Sequence, residues 1–508
     1  MRVLIFHGYL LRGTGSNVYN ANLAQALARL GHEVHLLCQE RRAAELDWVQ
    51  ALGRWTSGGL EVEALRDRSG QGSVTAYLPQ IDGLLPVYVR DSYEGFRVAT
   101  FPELTEAELD RYLDANQAAV AEVAERIGGA DAALANHLVM GPAILSRTGL
   151  GFVAKVHGSA LEYTVKPNPR FVPYAVEGAE AARCILVGSR HTAESLWTAL
   201  PDLPLEAKTR LGPPGVDTRE FAPRERSAAR QELERLAAEL EAREERAFGR
   251  QGDRAAAAVR RVAAAPGPRI VFVGKLIVSK GIDLLLAAWP LVHAANPDAR
   301  LLVAGFGAFD EPAQRLLEAL RRGDLDDLRE IAALGRGLEG GDPGRLAILS
   351  GFLDDPPPGY FEAARAAAGA VAFAGRLDHD EVARLLPYAD ALVMPSTFPE
   401  AFGMVAVEAA ACGALPVSAA HSGMLEVSRQ LAAAVPDQIA ALLSFEVDGE
   451  AVGSIAERLN RWLAIDEPAR ESARQALVEA TRRLWSWEGV AEGVIAGSAG
   501  RLDELPRP

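Results

Sequence analysis

The chain has 508 residues, which is too long for one hydrophobic core and predicts two or three domains. Hydrophobic residues make up 49% of it and charged residues 24%, a balance that excludes a disordered or fibrous protein. The net charge of -15 argues against a broad nucleic-acid-binding surface, so we expect no nucleic-acid partner. A local basic pocket for a phosphorylated ligand remains compatible with this charge.

The three cysteines, Cys38, Cys184 and Cys412, are far apart and have apolar or small neighbours. This pattern predicts neither a disulfide framework nor a metal site, and it fits a reducing cytoplasm, where we expect the protein. The first six residues lack a cleavage site and lead into a glycine-rich loop, so they predict a strand rather than a signal peptide. No stretch of about 18 apolar residues predicts a membrane span, which leaves peripheral membrane contact open.

The chain begins with the pattern of a βαβ unit, which is typical of a parallel sheet. A strand is predicted over 3–6 and, after a glycine-rich loop, a helix over 17–30 with apolar residues at helical spacing. A dehydrogenase would carry Gly-x-Gly-x-x-Gly in this loop, but Gly13-Thr-Gly15 is followed by Val18, so the dinucleotide fingerprint is broken. Gly15 marks either a close approach of the backbone to a ligand or only a tight turn.

The rest of the first half alternates between regular and irregular patterns. The segment 61–93 shows no regular pattern, whereas 103–127 predicts a long amphipathic helix. Strands are predicted over 131–136 and 152–156, and each ends at a histidine, His137 and His157. For His137 a structural role is the favoured interpretation.

A charged segment separates the two halves, and a second strand-loop-helix series follows it. Residues 224–265, rich in Arg, Glu and Ala, predict one or two charged helices that are solvated or pack on a flank. A strand over 269–273 leads to Gly274-Lys275 and then Lys280, before the next helix. Two cations at a strand end beside a helix start form a clamp for a diphosphate. Residues 308–370 predict a surface elaboration with a flexible loop, because glycines and prolines cluster there.

The most informative stretch is Pro395-Ser-Thr-Phe-Pro-Glu-Ala-Phe-Gly-Met-Val-Ala-Val-Glu408. The apolar run 391–394 predicts a strand, and a small-residue helix follows the loop up to Cys412, with Gly413 as its cap. Glu400 is therefore placed at the carboxyl end of a strand, where open α/β sheets bind ligands. The amides of Phe402, Gly403, Met404 and Val405 are predicted to be unpaired donors at a helix N-terminus, suited to a phosphate. Glu408 follows on the first turns, close enough for both carboxylates to address one ligand.

The spacing Glu400-x7-Glu408, with Ala401-Phe-Gly-Met-Val between the glutamates, resembles the donor-site signature of the retaining glycosyltransferases of family 4. This resemblance implies an α/β protein of the GT-B fold, with two facing Rossmann-like domains, parallel sheets and a deep interdomain cleft. The implied domains are an acceptor domain over 1–215, with a C-terminal helix over 490–508 packed back on it, and a donor domain over 266–489. The charged insertion 224–265 would lie between them.

The resemblance also implies roles for single residues. Glu400 would orient the donor sugar, and Glu408 would hold the ribose hydroxyls. Lys275 takes the place of the arginine in the family's Gly-Arg-Leu element, which keeps the charge but loses bidentate geometry, and Lys280 would act with it on the diphosphate. His157 matches a histidine that can donate to a sugar hydroxyl or support charge at the anomeric centre.

Three further positions are interpreted through the same family pattern. Gly15 matches the second of two adjacent loop glycines, with Thr14 replacing the first. The resemblance counts Gly15 among the donor-binding residues, because this loop would let the backbone approach a donor phosphate or an acceptor. Leu377 would contact the nucleotide base through main-chain groups. The segment Pro213-Pro214 lies where the family has its interdomain hinge and would rigidify it.

The implied activity is retaining transfer of a sugar from a UDP-, GDP- or ADP-sugar to an acceptor hydroxyl, with no required metal or other cofactor. The acceptor could be a small molecule, a glycan or a lipid-linked molecule. One alternative is another enzyme of the same fold, a nucleotide-sugar epimerase or a phosphorylase. A second alternative is a catalytically silent sugar-nucleotide-binding protein, against which the presence of Glu400, Glu408, Lys280 and His157 argues.

Overall fold

The computed structural model describes residues 1–13, 15–67, 72–89, 93, 95–242 and 251–508. The chain divides into two compact units: a first unit of Met1–Gly215 with Trp485–Pro508, and a second unit of Val216–Leu484. Each unit is built on a sheet of mainly parallel strands with helices packed on it, which confirms the predicted α/β class. Thr14 lies outside the described residues.

The first unit begins with alternating strands and helices. Its strands are β1 (Arg2–Phe6), β2 (Glu33–Leu37), β3 (Ala51–Thr56), β4 (Gly59–Ala64), β5 (Ser73–Leu78), β6 (Leu84–Val87), β7 (Arg97–Thr100), β8 (Ala132–Asn136), β9 (Val153–Val156), β10 (Cys184–Val187) and β11 (Thr209–Leu211). Its first helices are α1 (Gly15–Arg29), α2 (Glu106–Arg126), α3 (Gly141–Ser146), α4 (Val172–Ala181) and α5 (Arg190–Ala199).

The main sheet of the first unit has the strand order β11-β10-β9-β8-β1-β2-β5-β3-β4, and β6 pairs with β7 separately. The pairs are parallel except β3 with β4. In the central register Ile5 pairs with Leu36 on one side and with Leu134 on the other. Because β2 lies on one side of β1 and β8 on the other, the strand order reverses at β1, and such a point opens a crevice at the carboxyl ends.

Two predictions for the first unit need correction. Helix α1 begins at Gly15 rather than at residue 17, so Gly15 is the first residue of the helix and not part of the loop. The segment 61–93 contains most of β4 and all of β5 and β6. Strand β5 is buried beside β2, yet its Ser, Thr and Tyr residues hide the apolar pattern that identifies a buried strand.

The second unit contains the remaining strands and most of the helices. Its strands are β12 (Arg269–Val273), β13 (Arg300–Ala304), β14 (Val371–Gly375), β15 (Ala391–Met394), β16 (Leu415–Ala419) and β17 (Ser444–Phe445). Its helices are α6 (Arg226–Ala242), α7 (Gly252–Ala263), α8 (Ile282–Ala295), α9 (Asp310–Arg322), α10 (Leu325–Leu334), α11 (Ala347–Asp354), α12 (Tyr360–Ala367), α13 (His379–Leu385), α14 (Met404–Ala411), α15 (Ser422–Ala432), α16 (Asp437–Ala440), α17 (Ala451–Ala464) and α18 (Glu467–Leu484).

The sheet of the second unit has the order β14-β13-β12-β15-β16-β17, and its described pairs are parallel. Val271 pairs with Leu302 on one side and with Leu392 on the other. The strand order reverses between β12 and β15, because β13 continues one half of the sheet and β16 the other. The carboxyl ends of β12 and β15 therefore flank the crevice at which open α/β sheets bind ligands.

The described parts of the two predicted insertions consist mainly of helices and belong to the second unit. In the charged segment, α7 packs against β14 with Val259 and Val262 buried, and ion pairs join Arg384 of α13 to Glu232 and Glu239 of α6. The segment 308–370 was predicted as a surface elaboration with a flexible loop, and the structure adds helices there that were not predicted. Helices α9 and α12 pack against α8 there, because apolar residues recur at helical spacing between the glycines and prolines.

The last helix, α19 (Trp487–Ser498), belongs to the first unit, where it packs against α1 and β8. Trp487 is fully buried in that contact, and Arg29 of α1 forms an ion pair with Glu488 at 2.9 Å. Within the described ranges, no helix is both long and apolar enough to cross a membrane.

Candidate active site

The two segments predicted to hold a donor follow β12 and β15, whose ends are neighbours in the second unit. The backbone N–H of Thr397 donates to the carbonyl of Ser279 at 2.9 Å, which joins the two segments. Gly281 has a φ of +67°, and a Cβ atom there would lie 1.9 Å from the carbonyl oxygen of Pro395. Only glycine fits this close approach without a backbone shift.

The joined segments bring Lys280 and Glu400 together. The ammonium of Lys280 donates to Oε1 of Glu400, and the hydroxyl of Ser396 donates to the same oxygen at 2.6 Å. The side chains are half-buried, at 29% and 22% exposure. The amide of Glu400 also donates to the hydroxyl of Ser422, at 2.9 Å. A lysine has three N–H donors, so the pair keeps hydrogen-bonding capacity for a ligand.

The charged form of Glu400 is favoured in this setting. Burial alone would raise the pKa of the Glu400 carboxyl, but Lys280, the Ser396 hydroxyl and His421 outweigh it and hold that pKa below its usual value. His421 is itself fixed, because its Nε2 lies 2.7 Å from the carbonyl oxygen of Ser396. Glu400 is therefore an ionised acceptor at neutral pH.

Lys275 lies on the opposite side of the same loop. The amides on either side of it, those of Gly274 and Leu276, donate to the carbonyls of Ala304 and Phe306 just beyond β13, at 3.1 and 2.8 Å. Its backbone is thus placed beside β13, whereas Lys280 is placed beside β15. The two lysines are on the one loop that follows β12, as predicted, but Lys275 lies beside the end of β13 and Lys280 beside the end of β15.

Of the four backbone amides predicted as unpaired donors, two lie before the first residue of α14 and two lie within the helix. Phe402 and Gly403 precede the helix, and α14 begins at Met404 with Val405 next. Gly403, the residue before the helix, has a φ of +108° and brings no capping side chain to these first amides. Met404 and Val405 are therefore the first helical residues, whereas Phe402 and Gly403 lie in the loop that leads into the helix. The role of all four amides as donors to a ligand stays a prediction. Ala401 lies in the same loop.

Glu408 is on the second turn of α14 and is only 5% exposed. Its Oε1 lies 2.8 Å from Nε2 of His379, the first residue of α13. Burial lowers the pKa of His379, but Glu408 and then Glu220 and Asp380 outweigh this effect, so that the pKa lies above its usual value. The sequence interpretation did not include His379. Its position two residues after Leu377, the predicted base-contacting residue, was a usable signal.

Leu377 lies two residues beyond the end of β14 and two before His379, and it is half-buried. The bond between His379 and Glu408 therefore links the loop that contains Leu377 to α14. The structure thus connects the three segments predicted to contact the sugar, the ribose and the base, all within the second unit.

The candidate residues of the first unit lie at its own switch point. His157 follows β9, and its Nε2 lies 2.8 Å from Oδ1 of Asn136, the last residue of β8. Burial, helped by His137, Lys155 and His7, lowers the pKa of His157 well below its usual value. The ring is therefore neutral. The two predicted roles of His157, donation to a sugar hydroxyl and support of charge at the anomeric centre, stay predictions for an uncharged imidazole.

His137, for which a structural role was favoured, is buried with a φ of +67°. Its ring lies 4.5 Å from that of Tyr88 and 5.4 Å from that of Tyr9, between centroids. Among the described residues, no group bonds either ring nitrogen of His137 or the hydroxyl of Tyr9. Sequence reasoning missed Tyr9 and Tyr88, because the chain separates them from both histidines.

Three family models match the chain. Glycosyltransferase Family 4 matches residues 13–220, and two models described as Glycosyl transferases group 1 match 267–336 and 362–483. The chain belongs to the family 4, or group 1, glycosyltransferases. The predicted resemblance is confirmed, and the matched ranges include both units.

Members of this family with known names match part of the chain. A D-inositol 3-phosphate glycosyltransferase of Segniliparus rotundus is 29% identical over 56% of this chain and 45% of its own length. A GDP-mannose-dependent monoacylated alpha-(1-6)-phosphatidylinositol monomannoside mannosyltransferase of Corynebacterium glutamicum is 27% identical over 44% of this chain and 45% of its own length. The matched region thus spans about half of these relatives.

Solved structures of similar fold align over almost the whole chain. They include sucrose-phosphate synthase of Thermosynechococcus elongatus, with a TM-score of 0.59, 18% identity and coverage of 99% of this chain and 98% of that one. The catalytic domain of starch synthase IV of Arabidopsis thaliana, bound to ADP and acarbose, has a TM-score of 0.56 at 14% identity and covers 98% and 99% of the two chains. These neighbours confirm the predicted GT-B fold, with two Rossmann-like domains.

Proposed function

We propose that this chain transfers a sugar from a nucleoside-diphosphate sugar to an acceptor hydroxyl, with retention of configuration. The observation that supports this best is the pair of Lys280 and ionised Glu400 at the switch point of the second unit, beside the uncapped start of α14. Similar folds are those of a starch synthase solved with ADP and of the Anabaena protein HepE solved with UDP and glucose. We place the donor in the second unit, because the pair of Lys280 and Glu400 lies there.

In the proposed reaction the bond between the sugar C1 and the phosphate oxygen breaks as the bond from the acceptor oxygen to C1 forms on the same face. The acceptor proton passes to the leaving phosphate. Lys275, Lys280 and the amides of Met404 and Val405 stabilise the charge that grows on the diphosphate. Glu400 orients the sugar and Glu408 accepts hydrogen bonds from the ribose hydroxyls. The reaction as proposed needs no metal.

We place the acceptor in the first unit, near His157 and the α1 N-terminus at Gly15. The relatives named above act, by their names, on D-inositol 3-phosphate and on a phosphatidylinositol monomannoside. Inositol-containing molecules, free or lipid-linked, are therefore the first acceptors to test. We propose that transfer takes place in the cytoplasm, with membrane contact limited to the surface.

A thermal-shift panel of UDP, GDP, ADP and their sugar conjugates tests the donor site. A ligand at 100 times its Kd adds about 2.7 kcal/mol to the stability of the state that binds it. We expect one nucleotide to raise the melting temperature of the wild type and to lose this effect in Lys280→Ala. The matched control is Lys166→Ala, because Lys166 forms an ion pair with Glu162 of similar exposure in the first unit.

The control variant is expected to keep the full ligand-induced shift. If no nucleotide shifts the wild type, or if Lys166→Ala loses the shift as completely as Lys280→Ala, the proposed donor site is wrong. A nucleotide shift without transfer to any acceptor would instead support a silent binding protein.

A further inference from the structure

A chain of buried hydrogen bonds crosses the switch point of the first unit and begins at His7, directly after β1. Nε2 of His7 lies 2.9 Å from the carbonyl oxygen of Leu10 and 3.0 Å from Oδ1 of Asn17. A carbonyl oxygen can only accept, so Nε2 of His7 carries the proton. Burial lowers the pKa of His7 to about 4, so the ring is neutral and its Nδ1 is an acceptor.

The next bonds follow from this assignment. Asn20, in α1, donates from Nδ2 to Nδ1 of His7 at 3.0 Å and to the carbonyl of Ser16 at 2.8 Å. Its Oδ1 therefore accepts from Nδ2 of Asn136 at 2.6 Å, and that same Nδ2 reaches the carbonyl of Phe6 at 3.3 Å. Two backbone carbonyls thus fix the orientation of both amides independently of the histidines.

The last bond fixes His157. Because Nδ2 of Asn136 is used toward Asn20, its Oδ1 points to His157, and an oxygen of an amide can only accept. Nε2 of His157 must therefore carry the proton, and a neutral ring then has a lone pair at Nδ1. Among the described residues, the hydrogen bond of the His157 ring is made through Nε2 to Asn136, and none is found at Nδ1.

The surroundings keep the ring neutral from several sides. The charged or titratable groups that face it are His7, His137 and Lys155, none of them acidic. Tyr19 of α1 contacts it edge-on, with ring centroids 4.9 Å apart. Lys155 is buried and donates to the carbonyl of Gly212 at 2.6 Å. No described carboxylate is among the groups acting on the ring, so nothing there favours an imidazolium.

We propose that His7, Asn20 and Asn136 are positioning residues that hold His157 in the Nε2–H tautomer, so that Nδ1 accepts a hydrogen bond from a substrate hydroxyl. That the hydroxyl belongs to a substrate rests on the proposed transferase function, whereas the tautomer of His157 does not depend on it. This accepting role reverses the first of the two roles that the family resemblance implied, in which the imidazole donates to a sugar hydroxyl. A hydroxyl that donates to Nδ1 is oriented with its oxygen lone pairs directed away from the ring.

The tautomer is measured directly on the full-length protein without ligand. Nitrogen NMR of the protein labelled with ¹⁵N-histidine distinguishes a protonated from an unprotonated ring nitrogen, and His157→Gln identifies the signals. We expect the Nε2–H tautomer, unchanged from about pH 5 to 8, the range in which ordinary histidines titrate. An Nδ1–H tautomer, or an imidazolium within this range, would overturn the proposal.

Asn136→Asp tests the relay itself. A carboxylate opposite Nε2 favours the imidazolium, so the His157 signals should titrate within the range about pH 5 to 8, and transfer should fall as pH decreases. The matched control is Asn116→Asp, because Asn116 is equally buried, at 1% exposure, but bonds only the carbonyl of Tyr112. The control should leave the His157 signals and the pH profile unchanged.

The two proposals fail separately. If Asn136→Asp leaves the His157 signals unaltered, the relay is wrong whatever the donor panel shows. If no nucleotide binds but the wild-type tautomer is the expected one, the relay stands and the donor site fails. Should Asn136→Asp not fold, the wild-type spectrum alone still decides the tautomer.

Discussion

The pair of Lys280 and Glu400 shows how a single contact sets the ionisation of a site. A half-buried carboxylate without its lysine keeps the cost of burial and loses the attraction that offsets it. Because the lysine supplies both charge and a hydrogen bond, neither residue can be interpreted alone. The same holds for Glu408, whose buried carboxylate is paired with His379.

We predict that Lys280→Met destabilises the protein by about 1 to 3 kcal/mol at neutral pH, the cost of leaving a charged hydrogen-bonded partner unpaired. The folded-state pKa of Glu400 is lowered in the wild type, so its contribution to stability is present above the unfolded value, about 4.3, and is lost as pH falls through the folded value. Urea unfolding should show the largest loss at pH 7. An equal loss below about pH 4 would contradict this assignment.

His379→Gln should have the opposite pH dependence. The folded-state pKa of His379 is raised, so the pair with Glu408 stabilises the protein below the unfolded value, about 6.5, and this contribution disappears as pH rises through the folded value. The difference in urea midpoint between the wild type and the variant should therefore be larger at about pH 6 than at about pH 9. A constant difference would show that the pair does not titrate.

At the scale of elements, both candidate sites are built where strand order reverses. Strands β12 and β15 bring Lys280 to Glu400 although 120 residues separate them. Strands β1, β8 and β9 bring His7, Asn136 and His157 into one hydrogen-bonded chain. Short loops at these strand ends, and not the helices between them, decide which side chains meet.

We predict that Gly281→Ala weakens both folding and donor binding. A residue with a side chain pays about 1 to 2 kcal/mol at a left-handed position, and here its Cβ would also collide with the Pro395 carbonyl. Gly359→Ala is the matched control, because Gly359 has a φ of +77° with nothing within 4 Å. Chemical denaturation should show only the conformational cost for Gly359→Ala and a larger loss for Gly281→Ala. Equal losses of stability in the two variants would mean that the backbone at Pro395 shifts at no cost to make room for the new Cβ atom.

The closing helix α19 should be essential to the first unit. Trp487 is buried against α1, and its removal in Trp487→Ala is expected to cost about 3 to 5 kcal/mol. No described group bonds its indole nitrogen, so Trp487→Phe gives up no hydrogen bond, leaves a smaller cavity and should cost clearly less than Trp487→Ala. Urea unfolding of both variants measures the difference. If the two variants lost similar stability, the indole nitrogen of Trp487 would form a hydrogen bond that is not among the described contacts.

At the scale of the whole molecule, the chain assigns its two predicted tasks to different units. The Lys280 and Glu400 pair and the His379 and Glu408 pair lie in Val216–Leu484, while the His157 relay lies in the first unit. The C-terminal residues return to the first unit, so the chain order of the sequence does not match the order of the folded units.

Hydrogen exchange with and without the bound nucleotide should follow this division. We expect protection at residues 274–281 and 396–408, because ordered contacts reduce local opening there. Peptides of β1, β8 and β9 in the first unit should exchange at the same rate with nucleotide alone. Protection confined to the first unit would show that the nucleotide binds there and would contradict the proposed donor site in the second unit.

The sequence by itself determined the fold class, the family and the segments that end at the candidate site. Local patterns carry this information: the apolar run 391–394 became β15 with the same bounds, and Gly413 ends α14 in the left-handed conformation, with a φ of +82°. It failed at β5 and at the helices within 308–370, where polar strand residues or scattered glycines mask the periodicity.

Only the tertiary structure decided which groups pair. The partners of Glu400, Glu408 and His157 come from segments distant in sequence or from another strand end, and sequence spacing does not encode distances across a sheet. The protonation of each group follows from those partners and from burial, since both change the relative free energy of the charged form. The sequence therefore predicted Glu400, Glu408 and His157 as candidates, and the fold supplied their partners, their charges and the direction of their hydrogen bonds.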